Sequence, residues 1–260
     1  YWMSENGFFR YAGKLESLPC LVEDFVYDNI NLESGNQMVS AGLNNLFGEV
    51  IWFYPESNSS VVNRMVAYNY FDSSTRRPVW TVGSLARTMW RDSAVFGKPH
   101  ALEYDASTDT SFDVVGNTEG RTSYYEHETG TDQNRNGTIT AITANISSGD
   151  FDITQRTARG ATTGTADLRG DGEFLMKIRR FVPDFISQTG ATRITLELRN
   201  FPNDSQASSA LGPFDVTSST QKVDTRARAR AVALKVENTA ASQSWKLGTF
   251  RLDIQPDGRR

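Results

Sequence analysis

Strand signals dominate the pattern of apolar and polar positions along this chain, and each stretch is short and punctuated by turn residues. Phe8-Phe9-Arg10-Tyr11 is closed by the turn Ala12-Gly13. Glu49 to Tyr54 is continuously apolar after its first residue and stops at Pro55. Arg64 to Tyr70 follows a polar loop, and Pro78 to Gly83 follows a second turn, Asp72 to Arg77. Three consecutive strands with short polar connections predict a meander. Thr122 to His127 is the candidate for a closing fourth strand, and four-stranded meanders are the unit from which propeller blades are built.

One helix is predicted before the meander. Val39, Leu43, Leu46 and Phe47 fall at i, i+4, i+7 and i+8, a single apolar stripe, and Asn31 is a candidate cap. Gly35 and Gly42 each cost ~1 kcal/mol relative to alanine inside a helix, so the element is expected to be short.

The pattern changes after His127. Thr131 to Thr138 reads as a loop or boundary, and Ile139 to Ile146 and Phe151 to Ile153 as strands. Ala158 to Gly172, rich in Gly, Thr and Ala, reads as a loop. Glu173 to Val182 is a strong strand stopped by Pro183. In Arg193 to Arg199, Ile194, Leu196 and Leu198 face one way and the charged residues the other. Asn203 to Thr220 reads as a long Ser-rich loop, and Thr225 to Val236 and Trp245 to Ile254 as the last strands. The expected fold is mainly β with one short helix. A blade region spans 1–130; a C-terminal region spans 131–260 and forms either a β-sandwich or further propeller-type sheet.

Composition narrows the function classes. A chain of 260 residues buries a sizeable core unaided. Its single cysteine, Cys20, excludes an internal disulfide and points to a reducing compartment. No run approaches the ~20 apolar residues of a membrane helix. The start at Tyr1 rather than methionine suggests a processed or truncated chain. A net charge of −4 argues against a dedicated duplex-binding domain, while leaving room for a local basic strip.

Searched for catalytic chemistry, the sequence offers little. Glu126-His127-Glu128 looks like a metal cluster, but on a strand the histidine points away from both glutamates. Asp132, Asn134 and Asn136, with Gly137 sixth, match the first half of a calcium loop. Position twelve is Thr143 rather than glutamate, so the bidentate ligand is missing and a tight Asn/Gly turn is the simpler reading. Gly160 to Gly164 lacks the lysine of a phosphate-cradling loop, and Arg169-Gly170-Asp171 is an adhesion-like tripeptide in a Gly-rich stretch. No metal, cofactor or catalytic residue is assigned.

The most unusual stretch is Asp224 to Leu234. As one strand it places Arg226, Arg228 and Arg230 on one face and Ala227, Ala229, Ala231 and Ala233 on the other. Such a ladder pairs with carboxylates, within the chain or on a neighbouring subunit, lines a path for phosphate without sequence preference, or is simply solvated.

Several segments together resemble one family. They are Trp2-Met3, Leu18-Pro19-Cys20, Asn45 to Pro55, Tyr68-Asn69-Tyr70, Val79 to Gly83 and Tyr125 to Glu128 in the first half, and Ser148 to Ile153, Trp245 to Gly248 and Asp253 to Arg260 in the second. In order and density they resemble the C-terminal portion of the tail nozzle of short-tailed bacteriophages, also called tail tubular protein B or packaged-DNA stabilisation protein. The resemblance implies a propeller-containing, non-enzymatic virion subunit, assembled in the host cytoplasm into a hexameric ring in the tail. That ring retains packaged DNA and conducts it at ejection. Its partners would be copies of itself, the adaptor and portal assembly, tail fibres or needle, and passing DNA. It implies no catalytic residue. The alternative expectation is a carbohydrate-binding or carbohydrate-acting propeller, in which Trp52, Trp80 and Trp90 would stack on sugars.

Overall fold

The computed structural model describes residues 1–31, 33, 38–74, 77–93, 96–105, 121–135, 137–153, 174–201 and 209–258. The protein is mainly β, with several small antiparallel sheets and one short helix. It divides into two compact units, Tyr1–Thr129 and Gly130–Arg260.

The first unit opens with a small sheet of β1 (Trp2–Ser4), β2 (Gly7–Tyr11) and β3 (Leu15–Leu18), followed by helix α1 (Glu23–Tyr27). Then comes a four-stranded meander of β4 (Ser40–Asn44), β5 (Glu49–Tyr54), β6 (Arg64–Ser74) and β7 (Arg77–Gly83), hydrogen-bonded in that order. The unit ends with β8 (Met89–Arg91), β9 (His100–Asp105) and β10 (Arg121–Glu126), with β9 central.

β5 explains the packing. Its apolar run lacks alternation because both of its faces are covered. Val50, Trp52 and Tyr54 join Phe8, Val26, Val66 and Tyr68 in one core. Ile51 and Phe53 join Val62 and Ala67 in another, against which Leu85 and Trp90 pack. Phe8 lies 5.0 Å from Trp52 and 4.7 Å from Trp80, ring centre to centre, and both pairs are tilted as aromatic quadrupoles prefer.

Two expectations are corrected here. The stripe Val39, Leu43, Leu46 and Phe47 does not build a helix: Ser40–Asn44 is the strand β4, paired residue for residue with β5. The short helix lies earlier, at Glu23–Tyr27. Leu46 and Phe47 sit instead in the turn between β4 and β5, about half exposed. Helix propensity is a weak preference, and here a ladder to a fully buried strand overrides it. The second correction follows: β4 completes the meander, so Thr122–Glu126 is not its closing strand but pairs with β9.

The second unit begins with the hairpin β11 (Asp132–Arg135) and β12 (Thr138–Ala141), where a loop was expected. Its larger sheet has the order β13 (Asn145–Ser147), β19 (Ala231–Glu237), β16 (Thr192–Arg199) and β17 (Ser209–Val216). A second sheet has β14 (Met176–Val182) between β18 (Val223–Ala229) and β21 (Arg251–Pro256), and a third pairs β15 (Phe185–Thr189) with β20 (Ser244–Leu247). Residues 209–216 of the expected Ser-rich loop are therefore the edge strand β17; residues 203–208 of it, and 158–172, lie outside the described residues.

One core joins the two larger sheets: Ile194, Leu196, Leu198, Val232 and Val236 from one, Met176, Ile178, Phe181, Ala227 and Ala229 from the other. The stretch from Thr225 to Val236 is thus two strands rather than one. The chain leaves one sheet after Ala229 and enters the other at Ala231, with Arg230 at the corner donating its main-chain N–H to the Arg199 carbonyl at 3.0 Å. A strand that bends between two packed sheets keeps both of its halves on the common core.

Candidate anion-binding face

The outward face of the sheet β18-β14-β21 is strongly charged. Strand alternation produces it: Met176, Ile178, Phe181, Thr225, Ala227 and Ala229 point inward, while Lys177, Arg179, Arg226 and Arg228 are exposed and Arg180 is half-exposed. The three strands carry six basic side chains and two carboxylates, in a chain whose net charge is −4.

Some of these cations are engaged. Arg228 pairs with the Asp257 carboxylate and donates to the Asp257 main-chain carbonyl at 3.3 Å. Arg180 lies between Asp224 and Asp253, at 3.5 and 3.6 Å. Asp224 is shared with Lys222 at 3.1 Å, and Arg251 reaches Asp184 at 3.8 Å. Lys177, Arg179 and Arg226 have no carboxylate within ion-pair distance among the described residues. By contrast, cations on the other large sheet are paired: Arg193 with Asp215 at 3.3 Å, Arg199 with Asp150 at 3.2 Å, and Lys235 with Glu237 at 2.7 Å.

The pairing of β14 with both neighbours is irregular between Ile178 and Arg180. There an open hollow of about 250 Å³ forms, lined by Lys177, Arg179, Arg180, Asp224, Thr225 and Arg226. Thr225 turns its hydroxyl inward to the Ile178 carbonyl at 2.7 Å, which anchors the floor.

The expected arginine ladder is therefore split. Arg226 and Arg228 share the outer face of β18, whereas Arg230 sits at the corner between sheets, half-buried. Lys177 and Arg179 were not singled out from sequence. Their strand was legible, but its register against β18 was not.

In the first unit the conspicuous polar cluster is internal. Arg87, nearly buried, donates from Nε to His127 Nε2 at 2.9 Å, and from Nη1 to Glu103 at 2.9 Å and to the Ala86 carbonyl at 2.7 Å. Its guanidinium lies 4.1 Å from the Tyr125 ring centre, and Trp90 covers His127 at 4.6 Å. Burial, reinforced by the Arg87 charge, holds the His127 imidazole down at about 4. Glu126 turns to Lys98 and Thr129, and Glu128 to Asn44, so the three residues 126–128 diverge. The cluster reads as a structural pin.

Asp132 and Asn134 lie on β11, and their oxygens are used locally. Asp132 accepts from the Ser242 N–H at 2.8 and 2.9 Å, and Asn134 accepts from the Gly137 N–H at 2.9 Å. Asn136 and the Arg169-Gly170-Asp171 tripeptide lie outside the described residues. Among the described residues no group of three His, Cys, Asp or Glu side chains converges as a metal site would. Trp52 is 1 % exposed, Trp80 donates to the Pro19 carbonyl at 2.8 Å, and Trp90 to the Leu43 carbonyl at 2.7 Å, so these indoles serve packing within the unit. No helix among the described residues is long and apolar enough to cross a membrane.

No protein-family model and no curated protein matches the sequence.

Proposed function

We propose that this chain is a structural, non-enzymatic subunit of the tail of a short-tailed bacteriophage, of the tail nozzle type. In that role it helps retain packaged DNA and lets it pass at ejection. The observation that carries the reading is the ordered set of segments from Trp2-Met3 to Asp253–Arg260, spread over both units. The geometry supports it through the roles of those segments. Asn45 to Pro55 is the turn and the doubly buried strand of the meander, and Tyr68 and Trp80 pack 4.8 Å apart against the same core. Trp245 to Leu247 forms β20, and Asp253 to Pro256 belongs to β21. These are frame positions, as a building block of an assembly needs.

In this reading the meander β4–β7 is a propeller blade, packed on both faces by neighbouring sheet. The second unit follows it as a sandwich-like region. Copies join as a ring, the expected hexamer, between the adaptor and portal on one side and fibres or needle on the other. Proteomic analysis of purified particles tests this. The chain should be recovered with the particles, stay with the emptied tails after ejection, and be present in several copies per particle. Recovery only from the unassembled fraction of the lysate would sink the proposal.

A further inference from the structure

We infer that the outward face of β14 and β18, centred on Lys177, Arg179 and Arg226, is a binding surface for the phosphodiester backbone of nucleic acid, indifferent to base sequence. The identity of the ligand rests on the proposed role as a DNA conduit; the existence of an anion site rests on geometry alone.

Three features carry it. First, the charges on this face are unbalanced among the described residues. Lys177 stands directly opposite Arg228 across the ladder, and like charges opposite one another destabilise a sheet. The nearby carboxylates are already committed, Asp224 to Arg180 and Lys222, Asp253 to Arg180, and Asp257 to Arg228. An anion from outside would relieve the repulsion that remains at Lys177, Arg179 and Arg226.

Second, the engaged cations frame those that have no carboxylate partner among the described residues. Arg180, held by Asp224 and Asp253, is one wall of the hollow, and Arg228, held by Asp257, shares the outer face of β18 with Arg226, so an incoming anion meets preset cations. Lys177 and Arg179 stand two residues apart on one strand, which places them ~7 Å apart, with Arg226 on the neighbouring strand ~5 Å away. Duplex DNA carries one phosphate per strand every ~3.4 Å of axis, a charge density that cations spaced by ~5–7 Å can meet at separate phosphates.

Third, the charges sit on a pleated sheet face. Lysine and arginine held on a pleated face contact phosphate and fix position, whereas sequence is read by groups that enter a groove. The acidic balance of the chain as a whole limits attraction to this strip, which suits a surface that DNA must leave again.

Fluorescence anisotropy of two unrelated 30-base-pair duplexes with the 260-residue chain, from 50 to 200 mM NaCl, reads the inference. Three phosphate contacts predict a slope of log affinity against log salt of about −2.7, a loss of roughly 40-fold over that range, equal for both sequences. The variant K177Q/R179Q/R226Q, altered only at exposed positions, should bind with a slope near zero while keeping the circular dichroism of the parent. Wild-type binding that is absent or insensitive to salt overturns the inference, as does an undiminished slope in the variant. Displacement of duplex by inorganic phosphate at matched ionic strength would show a single-anion site, and also overturns it. A change in sedimentation of the variant without DNA binding by the parent would make the face a contact between copies, with the same consequence. Binding by a chain that is absent from particles would leave this surface standing while removing the tail assignment. A chain present in tails that does not bind would do the reverse.

Discussion

Replacing Arg87 by methionine tests how the first unit is held together. Arg87 is 4 % exposed, and its charge is balanced by Glu103, whose side chain is 13 % exposed. The substitution keeps much of the aliphatic volume and removes three donors at once: those to His127, Glu103 and the Ala86 carbonyl. It also removes the cation over the Tyr125 ring. Breaking a buried pair by deleting one partner costs about 3–5 kcal/mol, because the remaining charge stays desolvated. Residual access of Glu103 to water places the expected loss near the lower end, about 3 kcal/mol, a large fraction of the 5–15 kcal/mol of a typical domain. Urea unfolding followed by tryptophan fluorescence measures it, since Trp52, Trp80 and Trp90 report on the first unit and Trp245 on the second. Arg87→Met with Glu103→Leu should recover most of the loss, because an apolar replacement of both partners leaves no buried charge. A loss below about 1 kcal/mol for the single variant would equate the pair with a surface salt bridge and refute the reasoning.

Further perturbations address the rest of the molecule. His127 takes up a proton in the unfolded chain near its ordinary 6.5, but in the folded protein only at about 4, so the first unit loses stability as pH falls through that window. Glu49, raised by burial and by Glu128, acts in the opposite sense above its ordinary range, so the measurement is the difference from His127→Gln, whose denaturation midpoint should depend less on pH between 4 and 6.5. Gly42→Ala brings a methyl within 2.4 Å of the Trp90 ring and should cost about 1–3 kcal/mol by thermal unfolding; a neutral result would show that Trp90 is free to move. Leu196→Ala, at a fully buried position of the second core, should cost about 2–5 kcal/mol, read through Trp245. Addition of calcium or a chelator should leave the melting temperature unchanged, because Asp132 and Asn134 already serve main-chain N–H groups; a shift of several degrees would reinstate the calcium loop.

Much of the strand content was legible because alternation and punctuation are local signals. Ile194, Leu196 and Leu198 face the core as their spacing predicts, and Glu49 to Tyr54 reads correctly as a strand. Val39, Leu43, Leu46 and Phe47 misled because four apolar residues fit a helical stripe by chance, while the partner that makes Ser40–Asn44 a strand is β5, a tertiary fact. The arginine stretch was legible as chemistry but not as geometry. Nothing local to Arg230 announces that the chain changes sheets there. The pairing that brings Lys177 and Arg179 beside Arg226 spans some fifty positions of sequence. Register between distant strands is set by the whole core, so the composition of the basic face could not be composed from one segment.

Electron microscopy of purified particles, with the chain located by a bound antibody fragment, tests the central claim most directly. Symmetric labelling of the tail below the portal, with reconstructed density matching both β units, is the predicted result. Unlabelled tails, with the chain found only as free monomer in the lysate, would contradict it.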